Sequence, residues 1–121
     1  MNRTKINEFA NRGKAFYSRS DINNYEMENF NFANECWALG FEMDGGKALE
    51  SAFPGAFPLR DKDHLQAIIE AVEDVQMLGN AIFSQWRYWT HWSMGTPTKQ
   101  DFQWFVIAFS RLAELTDKGR T

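Results

Sequence analysis

Aromatic and cationic side chains are concentrated in one seven-residue segment that runs from Trp86 to Trp92. Five of its seven side chains carry a ring if the imidazole of His91 is counted, and Arg87 lies among them. Tryptophan, tyrosine and arginine often dominate the energy of protein–protein binding. The rings could instead form core or a cage for a cationic ligand. Because they cannot all face one way on a helix, we assign Arg87, His91 and Trp92 to a partner-binding or self-association surface.

Acidic side chains form a second candidate surface. Residues 20–80 contain twelve acidic and three basic residues, so this part of the chain could compete for a basic groove on a partner protein. A solvated helix face explains the same pattern. The acidic residues that we assign to partner binding are Asp61, Asp63, Glu70, Glu73 and Asp74.

The N-terminal segment has the opposite charge. Residues 1–19 contain five basic residues and one acidic residue, with aromatic rings between them. Cationic side chains pair with phosphates and aromatic rings stack on bases, so this arm is the candidate for nucleic-acid binding. The net charge of −3 disfavours extensive binding of that kind. The basic residues concerned are Arg3, Lys5, Arg12, Lys14 and Arg19.

Groups that could catalyse a reaction or bind a metal ion are few. The two histidines, His64 and His91, are 27 residues apart and belong to no HExxH or ExxH pattern. The single cysteine, Cys36, lies in an apolar helical segment, where a thiol is usually buried and inert. A nucleophile elbow and a phosphate-binding glycine loop are both missing from the sequence. We therefore expect a non-enzymatic protein with no metal ion and no cofactor.

The sequence also predicts the compartment. A single cysteine allows no intrachain disulfide, which is typical of a reducing environment. The longest uncharged run, from Val75 to Trp86, has 12 residues, whereas a membrane-spanning helix needs about 20. No apolar stretch follows the N-terminal basic residues. We expect a cytoplasmic protein that does not contact the membrane.

The elements that position these residues are predicted to be helices, because valine occurs only three times and apolar residues recur at helical spacing. We predict an all-α fold, a compact bundle of four to five helices with one long central helix over about 63–92. In that helix an apolar seam runs from Leu65 to Trp89, and Gly79 is a point where it could kink. The other predicted helices cover about 4–17, 22–43, 47–53, and Thr96 or Thr98 to 116.

Glycines and aromatic residues suggest how these helices end and pack. We expect Gly40 to permit a close helix crossing and Asp44-Gly45-Gly46 to end the second helix. The short connection over 93–96 makes the long helix and the last helix antiparallel neighbours. Residues 1–121 form a single domain, in which 1–19 is a basic helical arm that is either mobile or ordered by contacts with the rest of the chain.

In size, acidic charge, aromatic content and lack of a catalytic motif, the chain resembles small accessory proteins of phages and mobile elements, among them anti-CRISPR inhibitors. The resemblance is one of general character and covers no motif. It implies a small protein-interaction module that inhibits a nucleic-acid-handling enzyme, such as a nuclease or a defence enzyme. A homodimer and a nucleic-acid-binding accessory protein are the alternatives.

Overall fold

The computed structural model describes residues 2–19, 32–54, 62–92 and 99–117, with side chains for all of them except 62–65, 88–92 and 99–101. These ranges contain six helices and no strand, so the predicted all-α compact bundle is confirmed. The helices are α1 (Arg3–Tyr17), α2 (Phe32–Ala38), α3 (Lys47–Ala52), α4 (Lys62–Ala71), α5 (Val75–Trp92) and α6 (Lys99–Thr116).

The N-terminal helix is a core element of the bundle and packs along α6. Ile6, Phe9 and Ala10 of α1 are buried at helical spacing. Gly13 continues this face, and a Cβ atom there would lie 2.6 Å from the ring of Phe109. The missing side chain therefore allows α1 and α6 to approach closely.

Aromatic rings fill the space between α1, α2 and α6. Tyr17 stacks on Phe105 with 4.3 Å between the ring centroids, and Phe9 meets Phe109 edge-on at 5.4 Å. Phe32 of α2 contacts Phe105 and Phe109 of α6, with 6.4 and 6.0 Å between the ring centroids. Such ring pairs stabilise the core beyond the apolar area that they bury.

The prediction of one long helix over 63–92 is wrong, because the structure divides this range into α4 and α5. Asp74 caps the N-terminus of α5, and its Oδ1 atom accepts a hydrogen bond from the amide of Met77 at 3.1 Å. The Val72 carbonyl oxygen, outside both helices, accepts a hydrogen bond from Nε of Arg111 at 2.9 Å. Tertiary and capping contacts thus replace helical hydrogen bonds at this joint.

The predicted second helix ends earlier than expected, at Ala38, and its predicted start near residue 22 lies outside the described residues. Gly40 has φ of +88°, which glycine adopts at little cost. The Gly40 amide donates a hydrogen bond to the Trp37 carbonyl oxygen, and the Phe41 amide donates one to the Cys36 carbonyl oxygen. These two bonds form a Schellman motif, so Gly40 ends the helix and the predicted close helix crossing there is wrong.

The Asp44-Gly45-Gly46 turn begins a helix instead of ending one. The carboxylate of Asp44 accepts hydrogen bonds from the amides of Gly46 and Ala48, at 2.8 and 3.2 Å, at the start of α3. Gly45 and Gly46 both have positive φ, which leads the chain into this helix. The prediction that this turn terminates the second helix is therefore wrong.

Gly79 lies within α5, which continues through it from Val75 to Trp92. A Cβ atom at Gly79 would lie 2.1 Å from the ring of Phe41, so the glycine provides a notch for that ring. The turn predicted over 93–96, and the cap predicted at Thr96 or Thr98, lie outside the described residues.

Candidate functional site

Helix α2 runs along α5 in the opposite direction. Near its start, Phe32 stacks on Trp86 with 5.2 Å between centroids and nearly parallel rings. Near its end, Trp37 contacts Phe83 edge-on at 5.7 Å, one turn nearer the start of α5. The rings of the two helices thus set their relative position.

The segment after α2 turns back and runs in the same direction as α5. Polar side chains one turn apart on α5, those of Gln76, Asn80 and Ser84, hold the backbone of residues 40–45. The hydrogen bonds run from Gln76 Nε2 to the Gly40 carbonyl at 2.8 Å, from the Glu42 amide to Asn80 Oδ1 at 2.8 Å, and from the Gly45 amide to Ser84 Oγ at 3.1 Å. Asn80 and Ser84 are buried beneath this segment.

Two large apolar side chains stay exposed where these segments cover α5. Trp37 is 57% exposed and Met43 is 42% exposed, whereas the other large apolar side chains that the structure describes are at least partly buried. Trp37 lies over Phe83, and Met43 lies between the backbone amides held by Asn80 and Ser84. The Trp37 ring and the Met43 backbone therefore both lie beside the stretch of α5 from Asn80 to Ser84.

Arg87 is exposed one turn beyond Phe83, toward the C-terminal end of α5. We call the exposed side chains of Trp37, Met43 and Arg87 the Trp37 surface. Tryptophan, methionine and arginine are enriched in protein–protein interfaces relative to the rest of protein surfaces.

Several contacts hold the backbone beneath the Trp37 surface. The Schellman motif fixes the end of α2, and Phe41 is 1% exposed with its ring in the Gly79 notch. The Trp37 ring packs edge-on against the ring of Phe83, which is fully buried. A surface ordered before binding loses less conformational entropy when a partner docks.

The structure places only part of the predicted aromatic surface. Arg87 is exposed, as a binding residue must be, and Trp86 is half-buried and packs against Phe32. His91 and Trp92 belong to the last turn of α5, one turn beyond Arg87, and their side chains are outside the described set.

Three of the five predicted acidic side chains belong to the part of the chain that the structure describes. Glu70, Glu73 and Asp74 are exposed near the joint between α4 and α5. Asp74 also caps α5, and Glu70 accepts a hydrogen bond from its helical neighbour Gln66 at 3.1 Å. Asp61 and the side chain of Asp63 lie outside the described residues.

The basic residues of α1 are divided between two edges of the helix. Lys5 and Arg12 are two turns apart on one edge, and Arg3 and Lys14 are three turns apart on the other. The helix therefore presents two separate pairs of cations. Arg19 follows the helix, with its guanidinium carbon 5.9 Å from the centroid of Phe16.

One cation on each edge of α1 is held by a neighbouring helix. Arg3 donates to the carbonyl oxygen of Leu115 at the end of α6, where a cation is favourable. Arg12 forms a forked ion pair with Glu35, and Nη1 and Oε1 are 2.8 Å apart. The pair closes one side of a 240 Å³ groove between α1 and α2, lined by Lys5, Glu8, Arg12, Glu35, Ala38 and Leu39.

The sequence did not indicate that Trp37 and Met43 would be exposed. Trp37 follows Ala33 and precedes Phe41 by four residues each, which is the spacing of one apolar helix face. The signal that could have been used is Gly40, because a helix that ends there carries Phe41 away from that stripe and back toward α5.

Cys36 is fully buried, which confirms its predicted role in core packing. Burial raises the pKa of its thiol, and the charge of the neighbouring Glu35 raises it further. Since the thiolate is the reactive form, we expect Cys36 in the folded protein to resist a thiol-specific colorimetric reagent at neutral pH. An Ala15→Cys variant provides an exposed thiol as the control. If Cys36 reacted as fast as the thiol introduced at position 15, the buried position of Cys36 would be contradicted.

Among the residues that the structure describes, no three histidine, cysteine, aspartate or glutamate side chains converge into a group that could hold a metal ion. None of the helices in the same residues combines the length and the apolar character needed to cross a membrane. Comparison of the chain with protein-family models, curated proteins and solved structures gave no match.

Proposed function

We propose that this chain is a non-enzymatic protein-interaction module and that its contact surface is the Trp37 surface. The supporting observation is the exposure of Trp37, which is 57%, on a backbone that is held in place on both sides. Full burial of a large apolar side chain contributes about 1.5–3 kcal/mol. A partner that covers the exposed part of Trp37 would therefore gain a large share of that free energy in binding. Arg87 adds a side chain that can form several hydrogen bonds at the edge of the contact.

His91 and Trp92 are proposed as an extension of this surface. They follow Arg87 by four and five residues on α5, so His91 occupies the next turn on the side of the helix that carries Arg87. An interface that covers Trp37 and Arg87 could include the last turn of α5 with only a small increase in its area.

The proposed partner is a protein with a basic groove, such as a nuclease or a defence enzyme that handles nucleic acid. Glu42 is exposed next to Met43, and acidic residues outnumber basic ones by twelve to three over residues 20–80. Complementary charge favours association with a cationic surface. The chain would then act as an inhibitor of the kind found in phages and mobile elements, occupying the groove in place of nucleic acid.

Direct binding of nucleic acid has less support. The cations of α1 lie on two edges of the helix, and Arg3 and Arg12 have protein partners. A phosphate backbone would meet few unengaged cations on either edge, and the affinity of such contacts falls steeply with salt.

The test is affinity capture from cells that carry candidate nucleic-acid-handling enzymes, using the wild-type chain and a Trp37→Ser/Met43→Ser variant as baits. We expect the affinity of the variant for a basic partner to be lower by about tenfold or more. Truncation of a central tryptophan in an interface typically costs about 2 kcal/mol or more of binding free energy. Lys14→Ser, an exposed change on the far edge of α1, is the matched control and should retain the partner.

Two additional arms distinguish the alternatives. A short oligonucleotide should elute the partner by competing for its basic groove, while nuclease treatment of the lysate should leave capture unchanged. Equal capture by the wild-type chain and the double variant, with both folded, would reject the Trp37 surface. Loss of capture on nuclease treatment would favour nucleic-acid binding instead.

A further inference from the structure

The joint between α4 and α5 interrupts a helical sequence at a place without a helix-breaking residue. Val72, Glu73 and Asp74 separate the two helices, and neither glycine nor proline occurs among them. The apolar seam continues at helical spacing across the joint, from Ile68 through Val72 to Val75. Local sequence and tertiary structure therefore favour different conformations at these three residues.

A tertiary contact from α6 lies at the break. Arg111 of α6 is mostly buried, with its side chain 12% exposed. Its Nε atom donates to the Val72 carbonyl at 2.9 Å, and Nη1 pairs with Glu114 at 2.9 Å, which orients the guanidinium. The Val72 amide closes the last turn of α4 by donating to the Ile69 carbonyl at 3.1 Å.

We propose that residues 72–74 form a hinge with two states, and that Arg111 is the latch that holds the broken state. In the second state α4 and α5 join into one helix. The Val72 carbonyl then accepts the amide of Gln76 in place of Arg111, so the oxygen keeps a donor in both states. Asp74 changes from an N-cap to an interior helical residue.

Opening the hinge changes two parts of the molecule. Ile69 and Val72, which are buried in the broken state, are withdrawn from their contacts when α4 moves away from α6. The first turn of α5 also changes, and Gln76 in that turn holds the Gly40 carbonyl at the base of the segment that carries Met43. The hinge is thus coupled to the Trp37 surface, but its existence does not depend on the proposed binding function.

The experiment compares an Arg111→Met variant with the wild-type chain by isotope-edited NMR. Methionine retains much of the buried volume but leaves the Val72 carbonyl without its donor, so the latched state loses stability relative to the continuous helix. We expect the ¹³Cα shifts of residues 72–74 to move from non-helical toward helical values. Arg3→Met is the matched control, since it removes another arginine–carbonyl bond on α6 and should leave those shifts unchanged.

A second variant keeps the test decisive if Arg111→Met does not fold. Asp74→Ala removes the N-cap and introduces a good helix former, and it should move the same shifts in the same direction. Retention of non-helical shifts at 72–74 in the folded variants would overturn the hinge. A move to random-coil values would overturn it as well, because it would show a joint that frays and does not join the two helices.

Discussion

Replacing Ile82 with aspartate should lower the free energy of unfolding by ~3 kcal/mol or more, because it places a carboxylate where water is excluded. Ile82 is fully buried near the middle of α5, and its neighbours Ala81 and Phe83 are fully buried too. Arg87, the cation that the structure describes on α5, is five residues further along the helix and exposed, so it does not face this buried position. Chemical denaturation monitored by tryptophan fluorescence measures the loss.

The pH dependence of this variant gives a second reading. Burial raises the pKa of the introduced carboxyl above that of the unfolded chain, so the folded state binds more protons. The deficit in stability should therefore be smallest below about pH 4 and grow as the pH rises. Ala67→Asp, an exposed change on α4, is the control and should stay within about 0.5 kcal/mol of the wild type. A stable Ile82→Asp protein would show that this face of α5 meets water.

Replacing Gly79 with alanine should lower the free energy of unfolding by about 2 kcal/mol, although alanine is the better helix former by about 1 kcal/mol. The new Cβ atom would lie 2.1 Å from one ring carbon of Phe41 and 2.3 Å from another, so the ring must leave its notch. Phe41 is 1% exposed, and little room is available for it to move. Thermal and denaturant unfolding of the purified variant measure the change.

A double-mutant cycle with Phe41→Leu assigns the cause. In the Phe41→Leu background the clash is largely removed, so Gly79→Ala should be neutral or slightly stabilising through its helix propensity. A stabilising effect of Gly79→Ala in the wild-type background would contradict the notch. Equal losses in both backgrounds would mean that another neighbour opposes the methyl group.

The sequence alone determined the fold class and several of the helices. The predicted helix over 4–17 corresponds to Arg3–Tyr17, the last helix was predicted to end near 116 and ends at Thr116, and the short helix over 47–53 corresponds to Lys47–Ala52. Apolar spacing determines these elements, because a helix must bury one face whatever its neighbours are. The burial of Cys36 follows from the same spacing.

Features at the candidate site needed the tertiary structure. The four-residue spacing of Ala33, Trp37 and Phe41 is that of one helix face, but the chain leaves α2 at Gly40, so Phe41 is buried in the Gly79 notch of α5. Trp37 touches α5 at the ring of Phe83 and stays 57% exposed. The predicted binding residue Arg87 is exposed, but the other members of the proposed surface, Trp37 and Met43, come from a segment more than 40 residues away in the chain. Periodicity within one helix contains no information about such a contact.

The joint between α4 and α5 shows most clearly what the sequence determined and what the fold decided. Local propensity and the apolar seam of residues 65–89 specify helix on both sides of Val72, and they specify nothing that would stop it there. The stop comes from Arg111, which is distant in sequence and binds the Val72 carbonyl, together with the cap that Asp74 provides for α5. Asp74 is a cap that the sequence offers locally, whereas the Val72 carbonyl oxygen accepts the donor that the folded chain brings to it, so the local cap and the tertiary contact together place the break.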